Sequence, residues 1–172
     1  MKALLIVLMT ALCVKAQSQN IIPPTDSVTH RIAYQAVVYS PGSKDQLYDK
    51  GLNWMAITFK SSNDVIQIKD KDNGKIVGTM VIQPDEPRIG LVYVNITLLF
   101  KDGRYKYIIT NFDYQGTSEF RSWGLEQDLS IWKSNMAKGM QRKIKNVCFS
   151  KATNMIESLK SYMGSKDVNA NF

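Results

Sequence analysis

The chain has little of what catalysis usually draws on. It holds one histidine, His30, and two cysteines, Cys13 and Cys148. An acid–base pair built on histidine, or a zinc site ligated by cysteine and histidine, needs partners that these residues do not supply. No Gly-x-Ser-x-Gly elbow and no glycine loop suited to cradling phosphate occurs. The run Asp70-Lys71-Asp72-Asn73-Gly74 begins like a calcium loop. Its glycine comes one position early, however, and Val81 stands where the bidentate Glu belongs. Thirteen acidic residues lie between positions 17 and 129, but none of their spacings predicts a carboxylate pair. The only long apolar run, 3–12, is too short for a membrane helix, which needs about 20 residues. The expectation is a chain with no catalytic set, no cofactor and no metal.

That apolar run has another use. Lys2 precedes it, and Val14-Lys15-Ala16 follows as a cleavage site before Gln17, so residues 1–16 read as a secretory leader. Lipidation at Cys13 is the competing reading, weakened by Leu12, because lipobox processing favours a small residue before the cysteine. Export predicts a periplasmic or secreted domain with one cysteine, Cys148, and therefore no internal disulfide. It also removes nucleic acid as the usual target, despite a net charge of +7 over 172 residues. That charge is uneven: residues 130–172 carry eight Lys or Arg against Glu157 and Asp167. A basic C-terminal segment suits a solvated helix face or an anionic surface.

Pro23-Pro24 makes residues 17–29 an extended spacer. Residues 31–39 are rich in Val, Ile and Tyr and form a first strand, stopped by Pro41-Gly42. An amphipathic helix over 43–59 follows, with Ser43 and Gln46 as a capping box. Its stripe is Tyr48, Leu52, Met55 and Phe59, widened by Leu47 and Trp54. Gly51 lies inside that stripe and implies a close approach. Residues 65–69 and 75–83 make a hairpin around Asn73-Gly74 with two possible core faces: Ile66, Ile68, Val77 and Val81, or Val65, Ile76, Met80 and Ile82. Residues 116–127 form a loop with Phe120 and Trp123. Residues 130–163 form a basic helix ending at Gly164, and 164–172 are a polar tail.

The strongest local signal is Asp102-Gly103 between two long β-prone runs, a two-residue hairpin turn. It fixes the register. Phe100 faces Tyr105, Leu98 faces Tyr107, Ile96 faces Ile109 and Val94 faces Asn111 on the core side. The other side carries Tyr93, Asn95, Thr97 and Leu99 with Lys106, Ile108, Thr110 and Phe112. Large apolar groups among hydrogen-bonding ones suit a binding surface, unless the 116–127 loop or a second copy covers it. In the C-terminal helix, Lys138, Arg142, Lys145 and Lys160 fall on one side and form a second candidate surface for anionic membranes.

The order β-α-β-β-β-β-α, with the domain spanning 30–163, gives an α+β fold. Leu47-Tyr48, Gly51, Trp54 and Phe59, then Asn73 to Gly78, then Lys101 to Tyr105, resemble the secreted Bacteroidetes domain of unknown function with a TBP-like fold. The resemblance covers about residues 31–114. It implies a five-stranded curved antiparallel sheet with both helices on one face, and it carries no activity with it. The functional expectation is a non-enzymatic envelope module binding protein or glycan through the open sheet face. The alternative is an anionic-surface binder using the basic helix, and a hydrolase is a weak third.

Overall fold

Asp102 and Gly103 make the turn of the central hairpin, with Gly103 at φ +72. From that turn β4 (Gly90–Lys101) and β5 (Arg104–Gly116) run antiparallel, Phe100 against Tyr105 and Ile96 against Ile109. The computed structural model describes residues 22–59, 65–84, 90–117, 122–126 and 135–165. Around the hairpin stand β1 (Tyr34–Tyr39), α1 (Lys44–Thr58), β2 (Ile66–Asp70), β3 (Lys75–Ile82), a two-residue β6 (Trp123–Gly124) and α2 (Asn135–Gly164). The sheet order is β1-β5-β4-β3-β2, with β6 added beside β5. The sheet thus gains one short strand over the five expected. The first strand is also shorter than 31–39.

Helix α1 starts where its capping box says it should. The Ser43 side chain accepts from the Gln46 backbone N–H, and the Gln46 side chain accepts from the Ser43 N–H. Leu47, Tyr48, Gly51, Trp54 and Met55 are buried, with Tyr48 and Gly51 against Phe100 of the sheet. Helix α2 packs beside it. Trp54 donates its indole N–H to Ser158 Oγ at 3.2 Å, Lys50 donates to the Ser165 carbonyl, and Ser40 Oγ donates to the Met163 carbonyl at 3.1 Å. Lys151, whose place on the apolar stripe implied a bend or a snorkelling side chain, is exposed and donates to the Gln83 carbonyl at 2.6 Å. Its ammonium therefore escapes the core along its own stem.

The ambiguous β2–β3 hairpin resolves in favour of Ile76, Met80 and Ile82, which are buried, while Ile68 and Val81 are exposed. Ile66 is buried as well, because a register shift between Ile66 and Ile68 turns it inward.

Two expectations need correction. Phe112 does not share the open face with Tyr93. Asn95 pairs with Thr110 but Tyr93 pairs with Asp113, so Asn111 and Phe112 together oppose Val94. Asn111 sits at φ +56, a left-handed conformation that asparagine tolerates, and this bulge rotates everything after it by one position. Phe112 and Tyr114 turn into the core. Nor is the described part of the spacer simply extended. Thr25 bridges Ile32, the Asp26 carboxylate accepts from the Val28 and Thr29 N–H groups, and Ala33 donates to the Pro24 carbonyl. A short side chain that satisfies turn donors stabilises this fold-back.

Gly103 tests the turn. A Cβ there would meet nothing within 4 Å, so only the backbone conformation disfavours a side chain. Gly103→Val is expected to lower stability by about 1–2 kcal/mol, the cost of a left-handed L-residue. The midpoint of urea denaturation measures it, and an unchanged midpoint would contradict the turn assignment.

Candidate functional site

The two helices occupy one face of the sheet, and the alternation of the strands decides what the other face shows. On β4 the buried residues are Val92, Val94, Ile96, Leu98 and Phe100; Tyr93, Asn95, Thr97 and Leu99 point the other way and are half-buried. On β5 the corresponding half-buried residues are Lys106, Ile108 and Thr110. Seven of the eight residues assigned to this surface are therefore together on it, six of them in the cross-strand pairs Leu99–Lys106, Thr97–Ile108 and Asn95–Thr110, with Tyr93 beyond them. Phe112 is not, for the reason given above. It lies between Tyr34 and Phe149, with ring centroids 5.9 and 5.8 Å away.

Neighbouring strands widen the face. Thr79 pairs with Asn95 and donates its hydroxyl to Asn95 Oδ1 at 3.0 Å; Val81 pairs with Tyr93, and Val77 with Thr97. Across β5, Gln35, Val37 and Tyr39 of β1 stand opposite Ile108, Lys106 and Arg104. Val37 is 52 % exposed and Tyr39 80 %. Val37, Tyr39, Leu99, Lys101, Arg104 and Lys106 line one cavity of about 450 Å³ at this corner. Sequence reasoning missed Val37, Tyr39, Lys101 and Arg104 as a group. The β1–β5 pairing that assembles them joins residues about 70 positions apart, and no local pattern announces it.

The loop after β5 does not fold over this face where it is described. Trp123 pairs with Tyr114 across β5–β6 and packs on its ring at 5.5 Å, on the helix side, because the bulge has already turned Tyr114 inward. Phe120 lies outside the described residues.

The basic helix does not form one surface. Lys138, Arg142 and Lys145 lie within two turns of one another, but Lys160 is fifteen residues further, about 22 Å along the axis. Its ammonium is also committed to Glu157 Oε1 at 2.9 Å, which raises its pKa. Lys145 sits over the Trp123 ring at 5.6 Å, and Arg142 and Lys145 border a second cavity of about 350 Å³ with His30 and Glu126.

His30 is exposed at φ +55 in the turn begun by Asp26. Asp70 accepts from the Asn73 side-chain amide and backbone N–H, which lowers its pKa and closes the hairpin turn. Among the described residues no three His, Cys, Asp or Glu side chains cluster as metal ligands. Cys148 is buried, and burial pushes its thiol up to about 12 against a small opposing effect of Lys151. The thiolate, which is the reactive species, is thereby suppressed.

The fold has solved relatives. A DUF4468 family protein from Bacteroides ovatus is 21% identical, with 84% of this chain and 93% of that one covered at a TM-score of 0.60. A TBP-like protein from Parabacteroides distasonis is 12% identical, with 77% and 92% covered at 0.61. No curated protein matches the sequence. At these identities the structures speak for the fold: a curved antiparallel sheet with two helices. The sequence match runs from β1 through β5, over the turns and helix positions in which the resemblance was first visible. Residues 34–115 thus match the model of the domain-of-unknown-function family with a TBP-like fold, DUF4468.

Proposed function

We propose that this domain is an exported, non-enzymatic module of the cell envelope that binds a protein or glycan on its open sheet face. One observation carries the reading. Tyr93, Leu99 and Ile108 stand among Asn95, Thr97, Thr110 and Lys106 on the face away from both helices. Exposed Val37, Ile68 and Val81 extend the apolar part. A face meant only for water would be polar throughout. Aromatic and aliphatic anchors in a hydrogen-bonding surround are what a recognition surface uses. Export rests on the leader-like residues 1–16; among the described residues no helix is long and apolar enough to cross a membrane.

The alternative, binding of anionic surfaces through the basic helix, has weaker geometric support, since Lys160 is paired and remote from Lys138, Arg142 and Lys145.

A photoreactive tyrosine analogue at Tyr93 tests the proposal in intact cells. The expected result is a crosslinked partner that disappears when Ile108 and Leu99 are replaced by Glu, in a protein whose melting temperature is unchanged. Crosslinking that survives both substitutions, or a Tyr93 side chain fully protected from labelling in the isolated monomer, would overturn it. Salt separates the two modes: helix-mediated association should weaken steeply with ionic strength, and sheet-face binding much less.

A further inference from the structure

We infer that the outer edge of β1, together with the basic corner beside it, takes an extended acidic peptide segment as an added strand. This rests on the open-face reading above and names a ligand class and a docking mode for it.

The edge is the first observation. β1 has one strand neighbour, β5, and β2 closes the other end of the sheet. The two edges are protected differently. β2 carries Lys69 and Asp70 and is broken by a register shift between Ile66 and Ile68. Charge and irregularity of this kind blunt an edge against further pairing. β1 reads Tyr-Gln-Ala-Val-Val-Tyr, with no charge and no proline, and pairs with β5 without a shift.

Its free hydrogen-bonding groups can be located. Ser40 donates toward β5, to the Gly103 carbonyl, and Ala33 donates the opposite way, to Pro24. Main-chain groups alternate along an antiparallel strand, so those of Gln35, Val37 and Tyr39 point outward. The chain before β1 begins to pair with this side at Thr25–Ile32, and Pro24 and Pro23, which lack an N–H, end the ladder there. Among the described residues no strand continues it.

Charge is the second observation, and it selects the occupant. Lys101, Arg104 and Lys106 line the corner cavity with Val37, Tyr39 and Leu99. None of the three cations has an ion-pair partner among the described residues. A strand added beside β1 would lie two strand spacings from β5, about 10 Å. An extended Glu from that strand and an extended Lys106 or Arg104 from β5 span this distance above Val37. Side chains of an added strand alternate, so acidic residues at every second position would all face the cations. A second copy of this chain would instead bring its own three cations toward these. Charge complementarity favours an acidic segment over self-association. The mode is strand addition, in which main-chain bonds supply affinity and alternate side chains supply selectivity.

The test uses the full chain and fluorescent peptides that alternate Glu with Val, Gln with Val, and Lys with Val, read by anisotropy. The Glu-Val peptide should bind at low salt, more weakly as salt rises, and at least about tenfold more tightly than the Gln-Val peptide. Val37→Pro removes an outward N–H without touching the β5 ladder and should weaken binding about tenfold or more, as should Arg104→Gln with Lys106→Gln. If Val37→Pro lowers the melting temperature, methylating alternate amides of the peptide asks the same question from the ligand side. Binding indifferent to both Val37→Pro and amide methylation, or equal affinity for the Glu-Val and Gln-Val peptides, would overturn the inference. So would a dimer that Val37→Pro dissolves, or a sulfated polysaccharide that binds the Val37→Pro protein undiminished while the Glu-Val peptide does not bind. Crosslinking from Tyr93 that persists when the acidic peptide fails would leave the open-face reading standing and remove the edge inference alone.

Discussion

Phe112→Ala is expected to destabilise the fold by about 3–5 kcal/mol, the usual cost of emptying a buried aromatic site. Phe112 is fully buried and joins three elements: its own strand β5, Tyr34 of β1 and Phe149 of α2. The two rings packed on it, Tyr34 and Phe149, meet it in tilted and edge-on contact and would each lose that partner. Chemical denaturation measures the loss. The experiment also decides between two registers. Without the bulge at Asn111, Phe112 would stand on the open face beside Thr110, and its removal would cost about 1 kcal/mol or less, as surface substitutions do. A small effect would therefore mean that β5 runs straight and that the bulge is misplaced.

Gly51→Leu is the second large effect, at about 3 kcal/mol, the upper end of what overpacking a dense core costs. A Cβ at Gly51 would come 2.4 Å from the Phe100 ring, which is itself buried and edge-on to Tyr48 at 5.7 Å. Leucine would raise helix propensity by somewhat under 1 kcal/mol, too little to offset the clash. The pair gives a sharper measurement than either change alone. Phe100→Ala should cost about 3–5 kcal/mol in the wild type and clearly less in the Gly51→Leu background, where the new side chain can use the vacated space. Additive effects would show that the helix does not meet the sheet at this point.

The helix-to-sheet contact was partly legible beforehand. A glycine in the middle of an apolar helix stripe costs enough to demand a reason, and a close approach is the reason that fits. That the approaching group is the Phe100 ring, from a strand about 50 residues away, could not be read locally. The same limit applies to the candidate surface. Alternation placed Tyr93, Asn95, Thr97, Leu99, Lys106, Ile108 and Thr110 on one face, because side chains in a strand have a period of two and the Asp102-Gly103 turn fixes where counting starts. Counting fails at the first bulge. Asn111 gave only a weak warning, since asparagine in a strand is merely uncommon.

The basic helix shows a different limit. Helical periodicity put Lys138, Arg142, Lys145 and Lys160 on one side, and the angle is right. The pattern says nothing about length along the axis unless rise is counted with rotation, and it cannot see that Glu157 takes up Lys160.

By itself, then, the sequence determined the elements other than β6, the capping of α1, the central turn, most of the open-face set and the family resemblance. All of these rest on interactions between residues near in the chain, where propensity, period and turn chemistry act. Tertiary structure alone decided that β1 lies beside β5, that Phe112 and Tyr114 face the helices, that Trp123 docks on the helix side, and that Lys101, Arg104 and Lys106 meet Val37 and Tyr39 at one corner. Those outcomes come from packing between segments far apart in the chain. Their free energy depends on which surfaces meet, and no local pattern records that choice.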